Sequence, residues 1–233
     1  MADETSRKGT VYYNPGVLEY VQRVHAAHDG SLEKAFEAPA QHGLPAIQVG
    51  PSEGRLLQVL LQLVGAMKVV EIGTLAGYSA IWMARSLLEG GHLWSIEAEP
   101  KHAAVARENL AGAGLLDKIT VVEGKALEVL PTLESFGPFD AVFIDADKGN
   151  YDRYGAWAAE HVRPGGLMMA DNAFYFGDLL KDNPEARAVR RFHEEARKEF
   201  ETACIPTPDG LLVGVRKKPA RNLDEPLLPY PDA

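Results

Sequence analysis

The sequence predicts an α/β fold, a mostly parallel sheet with helices on both faces. Three observations support this. Short apolar runs of strand length alternate regularly with amphipathic segments of helical length. The chain has 233 residues, 46% of them hydrophobic, which suits one domain of this kind with terminal extensions. The last two strand-like segments are separated only by the turn at 206–210, so they must pair antiparallel.

The first elements are helices. Apolar residues between Val17 and Val24 mark one helical face. A second helix is predicted over Ser31 to Ala38, with Ser31 as its N-cap and Pro39 just beyond its end. The spacing of leucines from Pro51 to Val64 is typical of a longer helix, and Pro51 suits its first turn.

Strands and helices then alternate along the chain. Strands are predicted at 69–73, 92–97, 119–123, 141–145, 167–170, 202–205 and 211–216, and helices at 78–88, 100–113, 127–133, 151–162 and 185–200. Residues 1–10 are predicted to be a loose tail and residues 219–233 an irregular, proline-rich one. We therefore expect three regions: an N-terminal tail with helices (1–40) at an oligomer interface or over the substrate, a catalytic domain (41–218) and a C-terminal tail (219–233).

Composition restricts the function classes. The net charge of -9 disfavours sequence-independent binding of nucleic acid, which needs a basic surface. The single cysteine, Cys204, excludes an internal disulfide, and its apolar neighbours predict that it is buried. No apolar run reaches the length of a membrane span, and the polar start of the chain lacks a signal core. A cytoplasmic location is expected.

Acidic and amide side chains stand directly after two predicted strands. Asp145 follows the fourth strand, and Asp171 and Asn172 follow the fifth. Ligands of open α/β sheets bind at the carboxyl ends of the strands, so these side chains should share one edge. Their oxygens suit Mg²⁺, and Lys148, one short loop away, is a candidate proton acceptor. Each group alone is also compatible with an ordinary polar turn.

A glycine-bearing loop follows the first strand. Gly73 and Gly77 allow close approach of a ligand, but Leu75 stands where a dinucleotide fingerprint requires its second glycine. This substitution favours a nucleoside without a pyrophosphate, such as S-adenosylmethionine, over NAD. Glu97 ends the second strand, where its carboxylate can accept both ribose hydroxyls. Glu71 lies inside the first strand and needs a polar partner.

Aromatic residues follow the acidic pair. Phe174, Tyr175 and Phe176 are predicted to be exposed and to form a wall for a flat substrate, with packing against the sheet as the competing interpretation. His193 is predicted to pack in the core.

An ordered set of motifs resembles the cation-dependent O-methyltransferases, the family that includes catechol and caffeoyl-coenzyme A O-methyltransferases. The set comprises Val49-Gly50, Val70-Glu71-Ile72-Gly73-Thr74, Gly77-Tyr78-Ser79, Ile96-Glu97, Asp145-Ala146-Asp147-Lys148 with Tyr151, Gly165-Gly166, Asp171-Asn172 and Asp209-Gly210. It runs from about Gln48 to Lys217. The family often has a tryptophan in the loop after Asp-Asn, where this chain has Ala173-Phe174-Tyr175, so the substrate wall is expected to differ.

The resemblance implies a Rossmann-like methyltransferase fold with a seven-stranded sheet and an antiparallel C-terminal hairpin. It implies Asp145, Asp171 and Asn172 as ligands of Mg²⁺ or another divalent cation such as Mn²⁺ or Ca²⁺, and Lys148 as the catalytic base. The implied S-adenosylmethionine site comprises Val49, Glu71, Gly73, Thr74, Tyr78, Ser79, Glu97, Ala126 and Asp145, with Tyr154 nearby. The implied substrate contacts are Lys148, Asn172, Phe174 and Tyr175. A homodimer with the N-terminal helices at its interface is also implied.

The predicted function is metal-dependent O-methylation of a small catechol-type phenol. The short N-terminal tail (1–10) offers only Arg7 and Lys8 to a coenzyme A phosphate, which disfavours a coenzyme A thioester. Three alternatives remain: a methyltransferase for hydroxylated uridine in tRNA, a non-catalytic S-adenosylmethionine sensor and, as the weakest, a NAD-dependent oxidoreductase. Four arginines at 187, 190, 191 and 197 on one late helix would serve the first.

Overall fold

The fold comes from a computed structural model, which describes residues 14–218. The helices are α1 (Pro15–His25), α2 (Gly30–His42), α3 (Pro51–Val64), α4 (Tyr78–Ala84), α5 (Pro100–Gly112), α6 (Ala126–Leu133), α7 (Tyr151–His161) and α8 (Pro184–Glu199). The strands are β1 (Lys68–Ile72), β2 (His92–Glu97), β3 (Ile119–Glu123), β4 (Phe139–Ile144), β5 (Val162–Ala170), β6 (Phe200–Ile205) and β7 (Leu211–Arg216). The tails predicted at 1–10 and 219–233 lie outside these described residues.

The seven strands form one sheet in the order β3-β2-β1-β4-β5-β7-β6. Strand pairs β1–β2, β2–β3 and β4–β5 are parallel, whereas β5–β7 and β6–β7 are antiparallel. The predicted fold class, including the antiparallel C-terminal hairpin, is therefore confirmed. Within residues 14–218, no helix combines the length and apolarity that crossing a membrane requires.

The described residues divide into two compact units, with the boundary between Val129 and Leu130. In the first unit, β1 is buried from Val69 onward, and every residue of α4 except Ser79 is buried. In the second unit, the apolar stretch Ala141–Ile144 of β4 is completely buried. Continuous apolar strands of this kind are expected in a parallel sheet that is covered on both faces.

Two helices, α2 and α4, end four residues away from their predicted ends, and the other helices differ from their predicted limits by at most two residues. Helix α2 begins after Asp29 rather than Ser31, because the Asp29 carboxylate accepts the backbone amides of Ser31 and Leu32 at 3.1 and 3.0 Å. It also continues through Pro39 to His42. Helix α4 ends at Ala84, four residues early, and the amide of Leu88 donates to the carbonyl of Ala66 instead of to a helical carbonyl.

The prediction that Cys204 is buried is wrong, since the structure places it as an exposed free thiol. It lies in β6, which is the last strand of the sheet and has only β7 beside it. Four of the six residues of β6 are exposed. The apolar neighbours of Cys204 thus reflect the composition of an edge strand rather than a core position.

Candidate active site

Asp145 and Asp171 directly follow two strand ends that pair in register. Ile144 of β4 pairs with Ala170 of β5, and the Asp171 amide donates to the Ile144 carbonyl at 3.0 Å. Neighbouring strands lie about 4.8 Å apart, so the two carboxylates start from adjacent positions on one sheet edge. Asp171 is buried, whereas the Asp145 side chain is 23% exposed. Both residues therefore stand where the sequence pattern predicted them.

Lys148 lies against this acidic edge. Its ammonium donates to Asp145 Oδ1 at 3.1 Å and to the Tyr151 hydroxyl at 2.6 Å. Tyr151 is fully buried and donates to the carbonyl of Asp171 at 3.0 Å. Burial, reinforced by the nearby Asp145 and Asp171 charges, raises the pKa of Tyr151 well above its ordinary value. Tyr151 thus stays a neutral phenol that links Lys148 to the end of β5.

Tyr154, which the resemblance brings near the cofactor, is buried and donates its hydroxyl to Asp147 Oδ1 at 2.5 Å. Burial and this carboxylate raise the pKa of Tyr154 above its ordinary value. Asp147 Oδ2 also accepts a hydrogen bond from the side-chain amide of Asn150 at 2.5 Å. The Tyr154 hydroxyl therefore serves to fix the turn that carries Lys148.

Asn172 and the aromatic residues form a strained loop after β5. Asn172, Tyr175 and Phe176 all have left-handed backbone angles, with φ of 51°, 50° and 54°. The prediction of three exposed aromatics is wrong: Phe176 is 67% exposed, but Phe174 and Tyr175 are partly buried. Phe174 lies over the backbone of Gly210, so this ring packs on the turn between β6 and β7. The competing interpretation, in which the aromatic residues pack against the protein, therefore holds for one of the three residues, Phe174.

The donor set predicted for a metal consists of two carboxylates and one amide. Within residues 14–218, no group of three or more histidine, cysteine, aspartate or glutamate side chains is arranged to hold a metal ion. Asn172 supplies an amide oxygen rather than a carboxylate, so the predicted set does not depend on such a group. Oxygen donors of this kind fit a hard divalent cation.

The glycine-bearing loop follows β1 in the first unit. Leu75 has a left-handed φ of 50° at the position where the dinucleotide fingerprint places its second glycine. Its side chain packs against the cluster of Ala38, Leu44, Ala76 and Val105, which compensates the backbone strain. Gly77 has a φ of 81° and its Cα faces the backbone of Ala106, so a side chain here would be strained.

Glu71 is a completely buried carboxylate in β1. Its two oxygens accept hydrogen bonds from the hydroxyls of Ser79 and Ser95, the latter at 2.5 Å. Ser95 is the register partner of Glu71 in β2 and also bonds to the Thr74 hydroxyl at 2.5 Å. The sequence reasoning missed Ser95. Its signal is a lone hydroxyl in a buried strand, directly opposite a buried acid.

Glu97 ends β2 and is mostly buried. Its Oε2 accepts the Leu75 amide at 2.8 Å, and its Oε1 accepts the Glu99 amide at 2.9 Å. These two bonds fix the carboxylate between the glycine-bearing loop and the start of α5. Glu97 is the carboxylate that the sequence predicts as the ribose contact.

The remaining predicted cofactor residues belong to the same unit. Val49, Thr74, Tyr78 and Ala126 are buried, and Gly73 joins β1 to β2 through its amide, which donates to the Ile96 carbonyl at 3.0 Å. Tyr78 is held from the N-terminal side, because His28 Nε2 lies 2.8 Å from its hydroxyl and His28 Nδ1 lies 2.9 Å from a Glu33 oxygen. No local sequence pattern indicated the role of His28.

Comparison with known proteins identifies the class. The O-methyltransferase family model matches residues 22–218. A catechol O-methyltransferase of Niastella koreensis is 45% identical over 182 residues, covering 76% of this chain and 82% of that protein. A catechol O-methyltransferase of Mycobacterium tuberculosis is 42% identical over 175 residues, covering 75% and 79%. A Bacillus cereus O-methyltransferase, solved in complex with SAH, has a TM-score of 0.83 and 38% identity, covering 87% of this chain and 97% of that one.

The fold, the glycine-bearing loop after β1 and the strained loop after β5 thus define a class I methyltransferase. The chain belongs to the O-methyltransferase family, whose members use S-adenosylmethionine as methyl donor. This membership confirms the predicted enzyme class and excludes both the non-catalytic sensor and the NAD-dependent oxidoreductase.

Proposed function

We propose that the chain is a divalent-cation-dependent O-methyltransferase of small catechol-type phenols. The observation that carries the proposal is the juxtaposition at the ends of β4 and β5. Asp145 and Asp171 follow register partners on neighbouring strands, and the Lys148 ammonium lies 3.1 Å from Asp145. A methyltransferase that only bound its donor would not need this arrangement.

Asp145, Asp171 and Asn172 would hold the cation. Two carboxylates provide charge, and the amide provides a neutral oxygen, which leaves coordination positions for a chelating substrate. When bound, a divalent cation lowers the pKa of a coordinated hydroxyl. The Lys148 ammonium beside Asp145 indicates that this carboxylate favours a positive partner. Mg²⁺ is the first choice, and Mn²⁺ or Ca²⁺ would suit the same oxygens.

Lys148 would act as the base that takes the proton of the reacting hydroxyl, in the neutral amine form left after its ammonium has released a proton to solvent. The geometry supports this role because the side chain is 12% exposed and is held by Tyr151 and Asp145 at a fixed position. Tyr151 orients the ammonium, and Tyr154 fixes the preceding turn through Asp147. The task of these residues is to place the nucleophile in line with the methyl group.

The donor site would use the first unit. Glu97 suits the ribose hydroxyls and Glu71 the ammonium group of S-adenosylmethionine, with Ser79 beside it. The Bacillus cereus neighbour, which has an SAH complex, supports a donor of this type.

A small vicinal diol on an aromatic ring is the acceptor that best fits the site. Two relatives above 40% identity bear the name catechol O-methyltransferase. Asn172 and the partly buried Phe174 and Tyr175 would contact the ring. Arg7 and Lys8, the two basic residues that the N-terminal tail (1–10) would offer to a coenzyme A phosphate, lie outside the described residues.

The tRNA alternative is weakened because three of its four arginines make contacts within the protein. Arg191 pairs with Asp152 at 2.8 Å, Arg187 pairs with Asp182, and Arg190 donates to the carbonyls of Leu179 and Lys181. The lining of the neighbouring groove between α7 and α8 has a net negative charge, because it contains Asp152, Glu160, Glu195 and Glu199 and one basic residue, Arg216. A surface of this kind repels phosphates.

The deciding experiment is methyl transfer from labelled S-adenosylmethionine to a panel of catechols, with Mg²⁺ and with EDTA. We expect product that depends on Mg²⁺ and is lost in Asp145→Ala. Asp152→Ala serves as a matched control, because it removes a carboxylate of the same unit that pairs with the exposed Arg191 instead of Lys148. Full turnover in EDTA would contradict the metal role. Transfer to a tRNA transcript, with none to any catechol, would overturn the acceptor.

We further propose a homodimer through α1. Within the described residues, α1 buries no side chain, and its exposed apolar residues are Val17, Leu18, Tyr20, Val21 and Val24. Sedimentation equilibrium should give twice the mass of the 25.4 kDa chain, and Val21→Glu should shift it to the monomer. Leu180→Glu, at a residue that is 88% exposed in the other unit, is the control. A monomeric wild type would refute the dimer.

A further inference from the structure

The loop Asn172–Gly177, here called the aromatic loop, is held in an unfavourable conformation. Among residues 14–218, four residues other than glycine have a left-handed φ, and Asn172, Tyr175 and Phe176 are three of them. Such angles persist only where surrounding contacts impose them. The contacts that impose them therefore decide where Asn172 and the aromatic rings lie.

Those contacts come from the turn between β6 and β7. The amide of Ala173 donates to the Gly210 carbonyl at 2.9 Å, and the amide of Phe174 donates to the Asp209 carbonyl at 2.9 Å. The amide of Phe176 donates to Asp209 Oδ1 at 2.8 Å. Two of the three bonds are made by backbone carbonyls, so Asp209 is the residue whose side chain selects this loop conformation.

The packing around this turn leaves little freedom. Gly210 has a φ of 76°, and a Cβ atom there would lie 2.7 Å from Cδ1 of Phe174. On the other side of the loop, His193 Nε2 lies 2.8 Å from the Ala173 carbonyl. The second oxygen of Asp209, Oδ2, is buried and has no hydrogen-bond partner within residues 14–218. The carboxylate is therefore turned inward, toward the loop, rather than toward solvent.

We infer that Asp209 is a positioning residue for the acceptor half of the site. By holding the Phe176 amide, it fixes the aromatic loop so that Asn172 stays beside Asp171 and the Phe174 and Tyr175 rings keep their places. The inference rests on the proposed function, because it assigns Asn172 to the cation and the rings to the acceptor. Asp209 touches neither substrate nor donor in this scheme. Its removal should consequently affect acceptor and cation but not S-adenosylmethionine.

The test compares Asp209→Ala with Asp209→Asn in the full chain. Hydrogen–deuterium exchange over residues 172–177, without ligands, should become about tenfold faster in Asp209→Ala, because one hydrogen bond that orders the loop is lost. Asp209→Asn keeps an oxygen acceptor and should restore the slow exchange. Asp178→Ala is the matched control, since its carboxylate pairs with the exposed Lys181 at 2.8 Å and does not bond to the loop amides.

Binding and kinetics provide the second readout. In Asp209→Ala, the catechol KM and the Mg²⁺ dissociation constant from calorimetry should rise about five- to tenfold, while the S-adenosylmethionine dissociation constant stays unchanged. Asp209→Asn should remain near wild type. An equal loss of donor affinity, or equal damage in Asp209→Asn, would overturn the inference. If Asp209→Ala does not fold, Asp209→Glu, which displaces the carboxylate by one methylene, replaces it with the same expectations.

These readouts separate the two claims. The exchange experiment contains neither Mg²⁺ nor catechol, so unchanged exchange in Asp209→Ala refutes the positioning role even if the wild type methylates catechols. Mg²⁺-independent turnover or no turnover of catechols in the wild type refutes the proposed function instead. Faster exchange with rescue by Asp209→Asn would then still support the control of the loop by Asp209.

Discussion

The ammonium of Lys148 lies 3.1 Å from Oδ1 of Asp145, three residues before it in the chain. The proposed base is thus bound to a proposed metal ligand. A cation at Asp145 and the ammonium of Lys148 would repel each other, so binding of the first should weaken the contact of the second. The Tyr151 hydroxyl, which lies 2.6 Å from the same ammonium, would keep Lys148 hydrogen-bonded when its contact with Asp145 weakens.

The first prediction concerns Lys148→Ala. Loss of a general base should lower kcat by about 10²–10⁴-fold, while the affinity for S-adenosylmethionine stays unchanged. Because the variant also removes a positive charge from Asp145, Mg²⁺ should bind as tightly as in the wild type or more tightly. Discontinuous methyl-transfer assays measure kcat, and calorimetry measures the affinities for S-adenosylmethionine and Mg²⁺. The outcome that contradicts the role is an unchanged kcat.

A matched control for this prediction is Lys181→Ala. Lys181 and Asp178 have the same spacing of three residues and form an ion pair at 2.8 Å, but both side chains are well exposed. A surface pair of this kind contributes little to stability. The control should therefore leave kcat, Mg²⁺ binding and stability close to wild type.

The second prediction concerns Ser95→Ala. Ser95 orients the buried Glu71 carboxylate through a 2.5 Å hydrogen bond, and Glu71 is a predicted contact of S-adenosylmethionine. Loss of one such bond should weaken donor binding by about 1 kcal/mol, or roughly fivefold, and leave the catechol KM unchanged. Ser86→Ala is the control, because Ser86 is also buried but bonds to the Met83 carbonyl. Equal losses of donor affinity in both variants would assign the effect to packing.

The fold was largely predictable because strand ends, turn residues and helix periodicity are local signals. The strands at His92–Glu97, Ile119–Glu123 and Leu211–Arg216 have the predicted limits. The placement of Asp145 and Asp171 also follows from position alone, since each residue directly follows a parallel strand. The carboxyl ends of such strands meet at one edge whatever the rest of the chain does.

The parts that could not be predicted depend on partners distant in the sequence. Asp209 lies 33 residues from Phe176, and His28 lies 50 residues from Tyr78. No local pattern reports such a bond. The exposure of Cys204 likewise depends on the order of strands, which places β6 at an edge. The N-cap of α2 was predicted incorrectly for a different reason. Asp29 and Ser31 are both good capping residues, and only the backbone geometry selects between them.

The third prediction concerns Tyr78→Phe. Burial raises the pKa of Tyr78 to about 12. The folded state therefore keeps a proton that the unfolded chain releases at about pH 10, so this contribution to stability is complete below pH 10 and is lost as pH rises toward 12. Tyr78→Phe should cost about 1 kcal/mol at pH 8 through the lost bond to His28. It should also make the alkaline loss of stability less steep.

Urea denaturation between pH 8 and pH 11 measures both effects. Tyr175→Phe is the control, because Tyr175 is only partly buried and lies in the other unit. Parallel stability curves for Tyr78→Phe and the wild type across this range would show that Tyr78 does not contribute to the alkaline loss.

The last prediction concerns the N-cap of α2. Asp29 accepts two backbone amides and pairs with Arg85 at 2.7 Å. The hydrogen bond from the Leu32 amide is the main cause that holds the pKa of Asp29 below its ordinary value. The ionised Asp29 carboxylate therefore stabilises the folded state at neutral pH, and this contribution is lost as pH falls below about 4. Asp29→Ala should lower the free energy of unfolding by about 1 kcal/mol at pH 7 and by less at pH 3.

Asp29→Asn separates the cap from the charge, because it keeps an oxygen for both amides and loses only the exposed pair with Arg85. It should stay within about 0.5 kcal/mol of wild type at pH 7. If Asp29→Asn were as unstable as Asp29→Ala, the ion pair with Arg85 rather than the cap would hold the start of α2.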